Sequence, residues 1–148
     1  MPGVWYYRGI ALEKLGENFE ALGCYDEAVR LEQSYVNAWY AKADLLLQQG
    51  KNDMALECYD RLLEFDPNST QPHIGRGNIL LLKGNLEDAA GEYLTAIEKD
   101  EKNSMPYLNL GHLFRANGEK DVALAYYGRA YELSRDEKIM SLIKTLRG

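Results

Sequence analysis

At 148 residues the chain has the length of one ordinary domain, and its 46% hydrophobic and 27% charged residues place it with folded proteins, far from the disordered corner. A formal net charge of −6 excludes the basic footprint of a nucleic-acid binder and any pull toward an anionic membrane surface. Two cysteines, Cys24 and Cys58, are too few for a disulfide scaffold and stand at no metal-ligand spacing, so a reduced, cytoplasmic setting with no cofactor and no metal is expected.

The chain opens on MPGVWYYRGI, which has neither the basic start nor the unbroken apolar run of a signal peptide. No apolar run approaches the ~18–20 residues that a bilayer span needs. The longest runs from Ile79 to Leu82. A first helix begins almost at Met1 with no capping residue before it, and Gly16 suits the left-handed residue that closes it. The next stretch, GENFEALGCYDEAVRL from Gly16 to Leu31, returns as GKNDMALECYDRLLEF from Gly50 to Phe65. Ahead of Gly50, Trp39, Ala43, Leu46 and Leu47 form one helical stripe; after it, Ala55, Tyr59, Leu62 and Leu63 form another. Each copy therefore reads as helix, tight turn, helix.

The pattern continues to the fourth copy. Gly16, Gly50, Gly84 and Gly118 recur every 34 positions, as do Ala21, Ala55, Ala89 and Ala123, and Tyr25, Tyr59, Tyr93 and Tyr127. In a looser register follow Trp5, Trp39, His73 and Tyr107, and then Leu12, Leu46, Leu80 and Phe114. Small residues recur at Gly9, Ala43, Gly77 and Gly111, where they let paired helices approach while the later Tyr fills the adjoining space. No single pair can bury its apolar faces alone, so neighbours must stack into an array. The last residues, DEKIMSLIKTLRG from 136 to 148, lack the repeat signature but carry Ile139, Leu142, Ile143 and Leu146 on one side. A capping helix over about 138–147 is expected, because an array must cover its final apolar face.

A 34-residue period with these residues resembles the tetratricopeptide repeat, whose pattern runs W-x2-L-G-x2-Y, then A-x3-F, then P. The resemblance covers about Pro2 to Glu137 as repeats 2–35, 36–69, 70–103 and 104–137, and NAWYAKADLLLQQGKNDMALECYDRLLEFDPNS is the nearest copy. Arg8, Lys42 and Arg76 depart from the family's Leu, which only Leu110 keeps; Pro67 alone keeps the closing Pro, against Gln33, Glu101 and Arg135. The resemblance implies an all-α fold, a right-handed superhelical array of antiparallel helix pairs, forming a single domain over 1–148.

It also implies a ligand site. In this family the first helix of each repeat lines a concave groove, and positions two, five, nine and twelve point into it. Those positions give Tyr6, Ile10 and Glu13, then Tyr40, Asp44 and Leu47, then Ile74, Asn78 and Leu81, and last Leu108, His112 and Arg115. The carboxylate clamp by which some members hold a chaperone tail needs two Asn positions, which Asn78 and Asn109 match. It also needs a Lys where Ile74 stands and a later Lys-Arg pair that is missing, so carboxylate capture is not expected. The apolar lining suits an extended or helical segment with hydrophobic anchors. Across the four first helices, each taken as fourteen residues, six basic side chains (Arg8, Lys14, Lys42, Arg76, Lys83 and Arg115) face Glu13 and Asp44, a net +4, so the other residues hold −10 of the total −6. That balance favours a partner segment with some acidic residues.

No other feature asks to be a catalytic site. His73 stands where Trp and Tyr stand in other copies and reads as a packing substitute, whereas His112 falls in the expected groove. GRGNILLLKG from Gly75 lacks the third Gly and the preceding strand of a dinucleotide loop. Cys24 and Cys58 are equivalent positions on successive hairpins, too far apart for a disulfide, and are expected to be buried thiols. The expected function is a non-enzymatic scaffold for a peptide segment or protein surface. Two alternatives stay open: a recruitment module of a larger, enzymatic protein, and self-association through the exposed end of the first repeat.

Overall fold

The structure, a computed structural model, describes residues 1–148. It contains nine α-helices and no strand: α1 Pro2–Lys14, α2 Asn18–Leu31, α3 Val36–Gln48, α4 Asn52–Phe65, α5 Gln71–Leu82, α6 Leu86–Lys99, α7 Ser104–Ala116, α8 Lys120–Ser134 and α9 Glu137–Arg147. Each repeat frame holds one hairpin. The turn within it is set by glycine: Gly50 lies at φ +73°, and Gly16, Gly84 and Gly118 take the same left-handed conformation. At this turn the Gly50 amide returns to the Leu47 carbonyl (3.0 Å) and the Lys51 amide to the Leu46 carbonyl (2.9 Å), satisfying carbonyls the helix end would leave bare.

The small residue before each turn has a direct partner. A Cβ added to Gly9 would sit 2.5 Å from the Tyr25 ring, and one added to Gly77 would sit 2.6 Å from Tyr93; Gly111 stands in the same relation to Tyr127. The tyrosine ring takes the space a Cβ would occupy, which only glycine leaves open at that separation. Tyr25, Tyr93 and Tyr127 are fully buried as a result. In the second repeat the small residue is Ala43, and Tyr59 is 5% exposed.

The helices group into two compact units, Met1–Pro67 and Asn68–Gly148. The boundary falls at the one closing proline the chain retains. In the first unit α1 packs on α2, α2 on α3 and α3 on α4. Ala21, Tyr25 and Leu45 form one cluster and Ala28, Val29 and Ala38 another. In the second unit the order is α5 on α6, α6 on α7, α7 on α8 and α8 on α9. Ile74, Ala89, Tyr93, Ala96, Leu110 and Leu113 form its inner cluster.

The capping helix starts one residue earlier than the sequence suggests, at Glu137. Asp136 caps it by accepting from the Lys138 amide (2.9 Å). Ile139 and Ile143 bury themselves against Ala123, Tyr127 and Ala130 of α8. To reverse the chain there, Arg135 takes φ +56°, the one positive φ outside glycine, and lays its guanidinium 5.5 Å from the Tyr131 ring.

Candidate functional site

In the first unit, α1 and α3 enclose a recess of about 280 Å³. Tyr6, Ile10 and Glu13 reach it from α1, spaced three and four residues apart on one helix face. Tyr40, Ala41 and Asp44 reach it from α3, with the amide side chains of Asn37 and Gln48 beside them. Five positions expected in a groove thus meet around one space. Leu47 lies half-buried on the same helix and outside this lining.

The electrostatics of the recess are acidic. Glu13 and Asp44 line it, no cation does, and neither carboxylate has an ion-pair partner. Partial desolvation alone pushes the Asp44 carboxyl above the usual carboxylate range. Burial, helped by the Asp44 charge, raises Tyr59 to about 12. The basic residues counted on the first helices do not face this space. Lys42 pairs with Asp26 of α2 at 2.8 Å and lies 5.4 Å from the Trp39 ring, lining a separate depression with Arg61 and Phe65. The net positive balance taken over whole helices therefore does not describe the recess.

In the second unit the corresponding positions of α5 and α7 are tied together by hydrogen bonds. The Asn78 Oδ1 accepts from the Tyr93 hydroxyl (2.6 Å) and from the Asn109 Nδ2 (3.1 Å). The Tyr127 hydroxyl bonds His112 Nδ1 (2.8 Å), its ring meeting the imidazole edge-on at 5.3 Å between centroids. Burial and the nearby Arg115 guanidinium lower the His112 pKa below its ordinary value. In the neutral tautomer with its proton on Nε2, His112 Nδ1 accepts the hydrogen bond of the Tyr127 hydroxyl. Arg115 is exposed one turn further along α7. Leu81 and Leu108 are half-buried against the two cores of this unit. Ile74 differs from the rest: it is 2% exposed and packs inside the inner cluster, so its side chain offers no contact surface.

Sequence reasoning did not single out the buried tyrosine hydroxyls. Tyr93 to Asn78 and Tyr127 to His112 both span 15 residues, a fixed offset from the second helix of a hairpin back to its first. At that offset Tyr59 meets Asp44, and Tyr25 meets Ile10, which has no polar atom to offer. The Tyr25 hydroxyl is the one buried side-chain polar atom with no hydrogen-bond partner. Burial raises its pKa, and the Glu13 carboxylate beside it raises it further. The constant offset between the repeated Tyr and the ninth repeat position was the available signal.

His73 packs where aromatic residues stand in other copies, but it also bonds Glu92 through Nδ1 (2.7 Å), and Arg76 pairs with the same carboxylate (3.2 Å). Glu92 occupies the position of Cys24 and Cys58. Both cysteines are free and buried, and burial pushes the Cys58 thiol up to about 11. No three His, Cys, Asp or Glu side chains gather as metal ligands would, and no helix is long and apolar enough to cross a membrane.

Sequence profiles described as tetratricopeptide repeat match residues 6–70, 40–106 and 107–140. The chain belongs to the tetratricopeptide repeat family. Its fold is that family's all-α solenoid of helix hairpins, and tetratricopeptide repeats build protein-interaction scaffolds. No curated protein matches the chain in sequence. Among solved structures, MamA is similar with a TM-score of 0.81 at 16% identity, over 98% of this chain and 80% of that one. TTC0263, a thermophilic TPR protein of Thermus thermophilus, is similar with a TM-score of 0.78 at 23% identity, over 99% and 81%. PilF of Pseudomonas aeruginosa gives 0.81 at 19% identity, over 98% and 67%. At these identities the likeness is one of tetratricopeptide fold.

Proposed function

We propose that this tetratricopeptide protein is a non-catalytic scaffold that holds a segment of a partner protein against the first helices of its repeats. One observation carries the reading. Buried tyrosines of α6 and α8 reach through to fix Asn78 and His112, polar side chains of the first helices. Fixed this way, Asn78 keeps its Nδ2 donors and Asn109 its Oδ1 acceptor for a ligand, and little rotamer freedom is left to lose on binding. Leu81 and Leu108 supply apolar contact beside them. The carboxylate clamp does not fit, because Ile74 fills its first Lys position and is buried. The first helices of the second unit carry no carboxylate, so Arg115 favours an acidic residue of the partner.

The experiment is a selection of random displayed peptides on the immobilised chain, repeated on a Tyr40→Ala, Leu81→Ala double variant. Enriched peptides that share apolar anchors and lose binding by about 1–3 kcal/mol on the double variant, the range of interface anchors, support the reading. Enrichment blind to the variant places recognition elsewhere on the molecule.

A second reading, self-association, has its own observation. Val4 (59% exposed) and Tyr7 (68%) stand exposed on α1, and Leu15 (72%) and Phe19 (84%) at its end and at the start of α2. Light scattering at tens of micromolar decides it: a strict monomer removes the reading, and a dimer lost in Tyr7→Glu supports it.

A further inference from the structure

We infer that the recess between α1 and α3 receives a basic side chain, arginine or lysine, from the bound segment, a specificity that rests on the scaffold reading above. The recess holds two carboxylates that the chain leaves without a counter-charge, set between aromatic walls. Glu13 and Asp44 line it with no cation at ion-pair distance. Behind Tyr6, the buried Tyr25 ring lies against Gly9 and 6.2 Å from the Tyr6 ring, holding that wall in place. The walls are the aromatic side chains of Tyr6 and Tyr40.

A cationic head group answers both. Its N–H donors serve the two carboxylates, and a guanidinium does so with planar, paired geometry. Tyrosine faces attract the same cation, and a guanidinium also stacks on them. An anionic side chain would meet only repulsion there, and a neutral apolar one would leave the carboxylates desolvated and unpaired. The volume, about 280 Å³, suits one long side chain better than a drug-sized ligand. The contrast with the second unit is chemical: the equivalents of Ile10 and Asp44 there are Asn78 and His112, with Arg115 nearby and no carboxylate, so the basic residue is read by the first unit alone.

The test uses the peptides enriched on the full wild-type chain. Each is synthesised with its Arg or Lys and again with Gln in that place, and titrated against wild type, Glu13→Gln/Asp44→Asn and Asp44→Lys. Neither carboxylate holds an ion pair, so the isosteric variants strand no partner, and circular dichroism confirms the fold. The expected result is a preference of about tenfold or more for the basic peptide on wild type. It should fall to within about twofold on Glu13→Gln/Asp44→Asn and reverse toward acidic peptides on Asp44→Lys. Groove-dependent peptides that carry no basic residue, or that bind Glu13→Gln/Asp44→Asn as tightly as wild type, overturn the inference while the scaffold reading stands. If no peptide is enriched, or enrichment ignores Tyr40→Ala, Leu81→Ala, both fall together.

Discussion

Four tyrosines, Tyr25, Tyr59, Tyr93 and Tyr127, fill the same slot and bury nearly the same surface, yet their hydroxyls meet different neighbours. Tyr93 and Tyr127 donate to Asn78 and His112, whereas Tyr25 finds Ile10. A buried hydroxyl without a partner costs roughly 1–3 kcal/mol, and a made hydrogen bond contributes about 1 kcal/mol. Tyr93→Phe should therefore lower stability in urea by about 1 kcal/mol, and Tyr25→Phe should leave it unchanged or raise it. Equal losses in the two variants would show that Tyr25 is partnered after all. His112 gives a pH dependence. Its folded pKa lies below the ordinary 6.5, so the unfolded chain binds the proton more readily. Its contribution to stability is complete above pH 6.5 and is lost as pH falls through the folded value. His112→Asn, which copies the Asn78 arrangement, should flatten the melting-temperature curve on the acid side; an unchanged acid slope would assign it to other groups.

Among the elements, α9 departs furthest from the repeat and carries the clearest test. Its two buried isoleucines close the apolar face of α8, while its last turn places Lys144 and Arg147 at the negative end of the helix dipole. Ile143→Ala should cost about 2–4 kcal/mol, the range for removing a buried aliphatic side chain with little room to collapse. A loss below about 0.5 kcal/mol, the level of a surface change, would mean that α9 does not seal the array.

At the scale of the whole molecule, stability in a hairpin array is a sum of local units and neighbour interfaces. The two compact units, Met1–Pro67 and Asn68–Gly148, should respond separately to a core cavity. Leu45→Ala removes a fully buried side chain of the first unit. Hydrogen exchange should then lose protection in α1 to α4 and keep it in α6 to α9. A uniform loss across the chain would show one cooperative body.

The period of 34 by itself determined a great deal: helix hairpins, a left-handed glycine at each turn and small residues facing tyrosine rings; the apolar stripe after it determined a closing helix. Those features follow from local rules, namely 3.6-residue periodicity, steric freedom at glycine and the need to cover an apolar face, and local rules are written along the chain. The carboxylates of the recess were also legible, since Glu13 and Asp44 fall at groove positions. Only the tertiary structure decided which charges line the recess. Lys42 turns toward Asp26 and Arg76 toward Glu92, side chains of other helices, and counting charges along a helix cannot tell which neighbour will take them. It likewise decided that Ile74 is core and that the Tyr25 hydroxyl goes without a partner. Burial and pairing are properties of where helices meet, and that meeting is set by packing across hairpins.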